Sequence, residues 1–540
     1  VSRRQSSSGI LLTILLAWLV LYPILIVTLD AAHAGAIRSF VTRPTEWSAL
    51  WASVWISVAS VLLAGVIGIP LAFLFEWFEF PGRKLLGSLI ALPAVLPPLV
   101  GVIAFLFLYG ESGFVARALQ YVFRFQQAPW RLQGAGGILL VHAYSMYVYF
   151  YLFTRAGLAK VDAAMIEAAH ALGAGRWRTL TRVTLPLLRP SLAGATVLTF
   201  MTALGSFSAP YVFGGGFRVM PTQIVASRLN GEDSLAMVET VALALVALIA
   251  LALLRRSEGD AVLVSLGKGA APRRRAIRAP AARILATAAG WALAVVLLLP
   301  HLTLMLVSLV PYASWTTEAF PPVLNLDNYR RLLGDPARLA PLVNSLWMAV
   351  VSTAGAVALA LAAGWAVVRR RVRLSKVIEG LVALPWALPG TVFAIALAVT
   401  FSVTKPFEAR WVFVGTAVIL PLAYLVRNVP VTGRAILAGY RQLDPAFEEA
   451  AASLGAGKWA TFRRVSLPLL SPALMAGASL AFVAALGDFV TSVVLYTYDT
   501  RPISMEILSS LRLNEIGVAA AFGVLLMLVS AVVLAIGARR

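Results

Sequence analysis

Apolar residues gather along this chain into long runs separated by short polar or Arg-bearing segments. A bilayer core about 30 Å thick needs about 20 apolar residues per crossing helix. By that rule the runs predict twelve spans, near 10–29, 54–75, 87–109, 135–154, 190–213, 237–254, 284–310, 344–368, 377–401, 411–428, 472–496 and 516–538. The fourth is the least apolar, since it carries His142, Tyr144, Tyr147, Tyr149 and Tyr151; tyrosines there read as boundary residues. The first run follows Ser2-Arg3-Arg4 and precedes Ala32-His33-Ala34, an arrangement that imitates a cleavable leader. It is nevertheless long enough to cross, and Pro23 is tolerated in a membrane helix, so a retained first span is expected.

Composition agrees with lipid as the solvent: the 540 residues are 60% hydrophobic and 13% charged, with a mean hydropathy of +0.85. The net charge of +21 would suit a nucleic-acid binder, but the placement of the charges argues otherwise. With the N-terminus inside, 31 of the 45 Lys and Arg residues fall on inside segments, among them Arg83, Lys160, Arg176, Arg255 through Arg283, Arg369 through Lys376 and Arg427 through Arg464. That bias is a topology signal, predicting both termini in the cytoplasm and no nucleic-acid partner. Cys is absent and only four His are present, so disulfides, thiolate chemistry and a metal site are not expected. No catalytic constellation stands out.

The chain divides into two halves, 1–255 and 284–540, joined by a small, basic segment at 256–283 that reads as a solvated linker near anionic headgroups. Residues 167–192 align without gaps on 449–474, an offset of 282 (449 − 167), with 17 of 26 positions identical. Trp55 and Trp347, and Pro97 and Pro389, repeat at an offset of 292. Six spans per half with the repeated loop (157–189 and 429–471) facing one way make a parallel repeat, in an all-α membrane fold. Within each copy an Ala-rich helix is broken by Gly, and a second short helix opens at Arg176-Trp177 or Lys458-Trp459. Two readings stand: a surface element whose Trp residues anchor a soluble partner, or an interfacial segment that only closes the bundle.

These residues resemble the EAA motif of binding-protein-dependent ABC importer permeases. The motif reads Glu167-Ala168-Ala169, Gly173 and Leu185-Pro186, and again Glu449-Ala450-Ala451, Gly455 and Leu467-Pro468. The resemblance covers essentially the whole chain, and the fused form is similar to the ferric-iron permeases, with thiamine permeases next. It implies a type I importer fold, two coupling helices seated on two copies of a separate ATPase, and an extracytoplasmic binding protein that delivers a small solute. ATP and Mg²⁺ would be bound by the partner. No P-loop is present: near Gly457-Lys458, Trp459 follows the Lys and Ala452 replaces the first Gly. The outside loops are too short to form a cargo-binding domain.

Inside the membrane, Asp488 is the most suggestive residue, since an Asp at a helix centre costs about 2.5–3.5 kcal/mol to insert. Gly205-Ser206-Phe207 and Gly487-Asp488-Phe489 occupy equivalent places, and a gate or translocation-path role is expected for them. Glu239 and Glu515 sit near span ends, where solvation is expected. Pro93, Pro97, Pro98, Pro385 and Pro389 read as breaks or kinks in the third span of each half. Ferric iron is the leading cargo; thiamine, 2-aminoethylphosphonate and polyamine permeases share the pattern. A twelve-span secondary transporter is the alternative of another class, and it leaves the duplicated loop without a role.

Overall fold

In the computed structural model the described residues are 2–33, 35–95, 97–256, 274–277, 279–311, 321, 323–370, 372–402 and 412–538. Most of the linker, the 312–320 and 403–411 stretches, Arg371, Arg539 and Arg540 lie outside them. The protein is helical, and ten helices among the described residues are long and apolar enough to cross a membrane, eleven with one bent pair. The first half runs α1 (Gly9–Ala32), α2 (Pro44–Trp77), α3 (Arg83–Leu89), α4 (Pro98–Tyr109), α5 (Gly134–Leu158), α6 (Ala163–Ala171), α7 (Arg176–Leu204), α8 (Ser208–Phe213), α9 (Met220–Leu229) and α10 (Asp233–Arg256). The second runs α11 (Pro280–Ser308), α12 (Pro336–Arg369), α13 (Ser375–Trp386), α14 (Gly390–Thr400), α15 (Ile419–Gln442), α16 (Ala446–Ser453), α17 (Lys458–Leu486), α18 (Val490–Leu495), α19 (Ile503–Arg512) and α20 (Ile516–Ala538). Several begin with Pro at the first position (Pro44, Pro98, Pro280, Pro336), where its missing N–H costs nothing. Large aliphatics stand bare on the outer helix faces, Leu62 at 64% and Val66 at 72% exposure, as a lipid-facing surface requires.

The apolar runs become helices and the breaks read at the third-span prolines are present, but the expectations for the tyrosines, the fifth spans and the tenth span change. The third span of each half is broken: α13 and α14 meet at 104°, and α3 and α4 are parted by a turn through Leu92–Val95. Prolines there remove N–H donors, and the freed carbonyls find tyrosines: Tyr147 donates to Ile90 O and Tyr151 to Gly87 O. These tyrosines are buried structural partners and not a boundary belt. The fifth span of each half ends earlier than its apolar run suggests, at Leu204 and Leu486. The tenth span is not 411–428 but α15, which continues to Gln442, so residues 429–442 belong to the bundle and not to a loop. Arg427, Arg434 and Arg441 recur every seven residues on one face of α15 and depress its hydropathy. Each finds a partner: Asp488, the ring of Trp386 and Glu379 respectively.

The halves interlock. The first span of each packs on the broken third span of the other, α1 on α13 and α14, α11 on α3 and α4. The largest apolar core accordingly mixes Leu99, Phe107 and Phe207 with Phe401, Phe489 and Phe522. The repeat persists in detail: the first N–H of α9 (Met220) donates to Ser53 Oγ, and that of α19 (Ile503) to Ser345 Oγ. Both repeated segments emerge at one end of the bundle. There Arg155 of α5 meets Glu76 of α2, which also binds Arg274; β1 (Phe78–Glu79) pairs in parallel with β2 (Arg275–Ala276). In the second half, Arg369 at the end of α12 donates to Leu443 O beside the end of α15. Arg255, at the end of α10, lies near enough to Arg434, about two turns before the end of α15, for the two cations to repel.

Candidate functional site

Each repeated segment folds as a short helix, a left-handed Gly and a second helix. Asp162 caps α6 by accepting from Ala164 N, and Asp444 accepts from Ala446 N at the start of α16. The first helix then closes in a Schellman motif. Gly173 N bonds His170 O and Ala174 N bonds Ala169 O; Gly455 N bonds Ala452 O and Ala456 N bonds Ala451 O. The two glycines have φ of +78° and +82°, a region that Cβ-bearing residues resist. Glu167, Ala168, Glu449 and Ala450 face solvent, Ala169 is half-buried and Ala451 buried, so one face of the helix seats on the bundle. Leu172 and Leu454 are each 89% exposed, and Trp177 and Trp459 are 76% and 71% exposed. Arg176 and Lys458 are exposed beside those rings. Two largely exposed Leu–Trp pairs thus project from the same end of the bundle, with the Trp459 ring stacked on Phe462 at 5.7 Å.

Beyond the Trp, the backbone widens into a π-turn in both copies, Leu180–Thr184 and Phe462–Ser466. The Leu-Pro pair explains it. Pro186 and Pro468 lack an N–H, and in a straight α-helix their rings would strike the carbonyl four residues back. Widening instead brings Leu185 N to Leu180 O and Leu467 N to Phe462 O, and the chain continues unbroken into the spanning helix. The exposed helix is therefore joined rigidly to span five. The two segments are anchored differently, which the repeat alignment does not reveal. In the second half Glu448, not Glu449, ties the segment down, pairing with Arg369 at 3.1 Å and accepting from Ser466 Oγ at 2.7 Å. The equivalent Ile166 packs against the Leu158, Val161 and Leu188 cluster. Among the described residues Glu167 and Glu449 make no ion pair within the chain, and their carboxylates stay open to a partner.

The other predicted group lies where both fifth spans break, at the seam between halves. A Cβ on Gly205 would meet Pro389 of the opposite half at 3.4 Å, and one on Gly487 would meet Pro97 Cβ at 2.7 Å. Phe207 and Phe489 face each other across the seam, centroids 5.4 Å apart, with Tyr211 stacked beside them. Ser206 Oγ meets His142 Nε2 at 2.8 Å, and His142 Nδ1 meets Ser60 Oγ at 2.8 Å. Asp488 sits not at a helix centre but ahead of α18, where Oδ1 accepts from Thr491 N (2.9 Å) and Ser492 N (3.3 Å) and from Thr491 Oγ1. Its other oxygen takes a guanidinium N–H of Arg427, which also donates to Thr491 Oγ1 at 3.0 Å. Arg427 is thus half-buried at the seam and not in an inside loop; the signal that could have found it is the seven-residue Arg period of α15. Glu239 is likewise buried rather than solvated, while Glu515 pairs with Arg338 at 2.7 Å.

The tight seam yields a directional expectation. Gly487→Ala forces its methyl group into Pro97 and lowers the thermal stability of the purified protein, an overpacking cost of about 1–3 kcal/mol. Gly205→Ala adds only ordinary contact and leaves the melting temperature within about a degree or two. Equal effects at the two sites would contradict the geometry.

Comparison with known proteins agrees with the repeated architecture. The family model of the binding-protein-dependent transport system inner membrane component matches residues 64–258 and again 356–539, one match per half. The probable ABC transporter permease protein y4fN of Sinorhizobium fredii is 32% identical over 510 residues, covering 92% of this chain and 89% of the relative. The ferric transport system permease protein FbpB of Actinobacillus pleuropneumoniae is 28% identical over 486 residues, covering 87% of this chain and 69% of the relative. The molybdenum transport system permease protein ModB of Escherichia coli is 34% identical over 213 residues, covering 38% of this chain and 91% of the relative. With two family matches that span both halves, the chain belongs to the inner membrane components of binding-protein-dependent transport systems, as a fused, multi-pass ABC importer permease.

Proposed function

We propose that this permease carries ferric iron across the bacterial cytoplasmic membrane, with the two Leu–Trp pairs seated in two copies of a separate ATPase subunit. The end bearing the repeated segments faces the cytoplasm with both termini, and a binding protein delivers cargo at the opposite end. The observation that carries the coupling is the duplicated exposed element, joined through a π-turn to span five, so that a push on the surface helix reaches the seam without passing through a flexible loop. Rocking of the halves has to part Gly205 from Pro389, Gly487 from Pro97 and Phe207 from Phe489, all of which cross the seam. The Arg427–Asp488 pair lies within one half and travels with it. For the cargo, the support is the ferric permease relative that covers most of the chain; thiamine, 2-aminoethylphosphonate and polyamine remain alternatives within the same mechanism.

The test is co-purification. Trp177→Ala with Trp459→Ala removes two exposed anchors, each expected to act as an interface hot spot of about 2 kcal/mol or more. The cognate ATPase subunit should be lost from the complex by tenfold or more per site, about 1.4 kcal/mol per decade. The permease itself should melt unchanged, since neither ring packs into the bundle. Retention of the ATPase at wild-type levels would defeat the coupling assignment. Uptake of radioactive ferric ion, with thiamine as competitor, decides the cargo separately.

A further inference from the structure

At the end of the bundle away from the repeated segments, two carboxyls from different helices are buried together. Glu46, in the first turn of α2, is 1% exposed, and Glu239, in the second turn of α10, is 0% exposed. Glu46 Oε1 accepts from Gln223 Nε2 at 3.3 Å and from Thr45 Oγ1 at 3.1 Å, and Glu239 Oε1 from Ser227 Oγ at 2.7 Å; Gln223 and Ser227 both lie on α9. The second oxygens, Glu46 Oε2 and Glu239 Oε2, are buried without a donor from the rest of the protein. Yet Gln223 and Ser227 stand one turn apart on α9, which sets the two carboxyls they hold side by side. Two ionised carboxylates repel and have no hydrogen to share, so the contact needs a donor that the surrounding side chains do not supply.

We propose that Glu46 and Glu239 form a proton-binding site, in which one proton shared between the two carboxyls clamps α2 to α10 at this end of the first half. The surroundings support a proton. Arg43 lies near enough to act on both carboxyls, but its guanidinium is already committed to Glu232 by three contacts of 2.9, 3.2 and 3.2 Å. Arg218 is turned to Gln223 Oε1 at 3.1 Å, which orients the amide N–H₂ toward Glu46. Arg228 pairs with Asp233 at 2.6 Å. Of the other elements packed here, α14 carries no ionisable residue, α1 ends in Asp30, and the short helix Ile37–Thr42 carries Arg38. The second half solves the same place differently. Arg338 and Glu506 stand at the positions of Glu46 and Gln223, and each is ion-paired, with Glu515 and Arg501. Phe522 replaces Glu239. The clamp is therefore confined to one half, and its exposure to the outside medium rests on the orientation proposed above.

The full-length chain, purified in detergent without ATP or partners, provides the test, so its outcome is independent of transport. The infrared spectrum near neutral pH should contain the C=O band of a protonated carboxylic acid that shifts in D₂O, absent from both Glu46→Gln and Glu239→Gln. Glu239→Gln replaces the shared proton by an amide N–H of the same shape, so it should fold and melt independently of pH between about pH 6 and 9, above the titration of ordinary carboxyls. The wild type should lose melting temperature over that interval, since the folded chain alone holds the proton and stability tied to it falls as pH rises. No difference band together with parallel melting profiles would overturn the proposal. So would a rise in the wild-type melting temperature on adding sodium or calcium chloride that Glu239→Gln does not show, which would make the occupant a metal ion. Should Glu239→Gln fail to fold, the wild-type band and Glu46→Gln decide the matter.

Discussion

Replacing Gly173 and Gly455 together by Val is expected to abolish ATP-driven uptake while leaving the permease folded in the membrane. The argument rests on two facts about each site. The backbone is left-handed, with φ of +78° and +82°, and the space around an added Cβ is empty. The chain itself therefore offers no steric objection, and the whole intramolecular penalty is conformational, about 1–2 kcal/mol for an ordinary L-residue and more for a β-branched one. The cheapest relief is to abandon the Schellman turn, which swings the Trp-bearing helix away from its neighbour. Fewer than one permease in ten would then present each Leu–Trp pair correctly, since about 1.4 kcal/mol is a decade. With both sites altered, the loss should multiply to roughly a hundredfold. Gly175→Ala and Gly457→Ala are the controls: the same open surroundings, but φ near −67° and −68°, which Ala accepts. Binding-protein-dependent uptake in right-side-out or reconstituted vesicles reads the effect. If the Val pair transports as well as the Ala pair, the glycines serve no coupling turn.

Much of this was legible in the chain before any fold was known, for physical reasons that differ by residue. The repeated turn is local: Gly, the flanking Ala residues and Leu-Pro lie within 19 positions (168–186), so a 26-residue repeat exposes it twice. The spans are legible because hydropathy responds to lipid, which each helix meets individually. The seam is half legible. Gly205 and Gly487 mark close approach, but Pro97 and Pro389 lie far away in sequence and in the opposite half, and no local pattern pairs them. Arg427 was misplaced because a hydropathy rule assigns every Arg to a loop, whereas α15 half-buries one against Asp488. Glu46 and Glu239 are 193 positions apart (239 − 46), and the packing of α2 and α10 on α9 brings them together.

Asp488→Ala should be the most destabilising single change at the seam. It deletes an acceptor of four donors: a guanidinium N–H of Arg427, the backbone N–H groups of Thr491 and Ser492, and the Thr491 hydroxyl. The first loss strands a cation in the bundle; the next two uncap α18. Breaking a buried pair by removing one partner costs about 3–5 kcal/mol. The Arg427 side chain is 31% exposed, which lets water reclaim part of that and points to the lower end of the range. Loss of the cap adds about 1 kcal/mol. Arg427→Gln alone leaves Asp488 with its three α18 donors, so it should cost less than Asp488→Ala. The double variant Arg427→Gln, Asp488→Asn removes both charges and keeps hydrogen-bonding shape, and it should recover a good part of the stability. A double-mutant cycle on thermal or denaturant unfolding in detergent measures the coupling directly. Ser206, at the equivalent place in the first half, gives the internal comparison: it bonds only the His142 ring, so Ser206→Ala should cost no more than a neutral hydrogen bond, about 0.5–1.5 kcal/mol. If the two serial positions prove equally tolerant, the ion pair contributes nothing that a neutral contact does not, and the asymmetry of the seam has no energetic content.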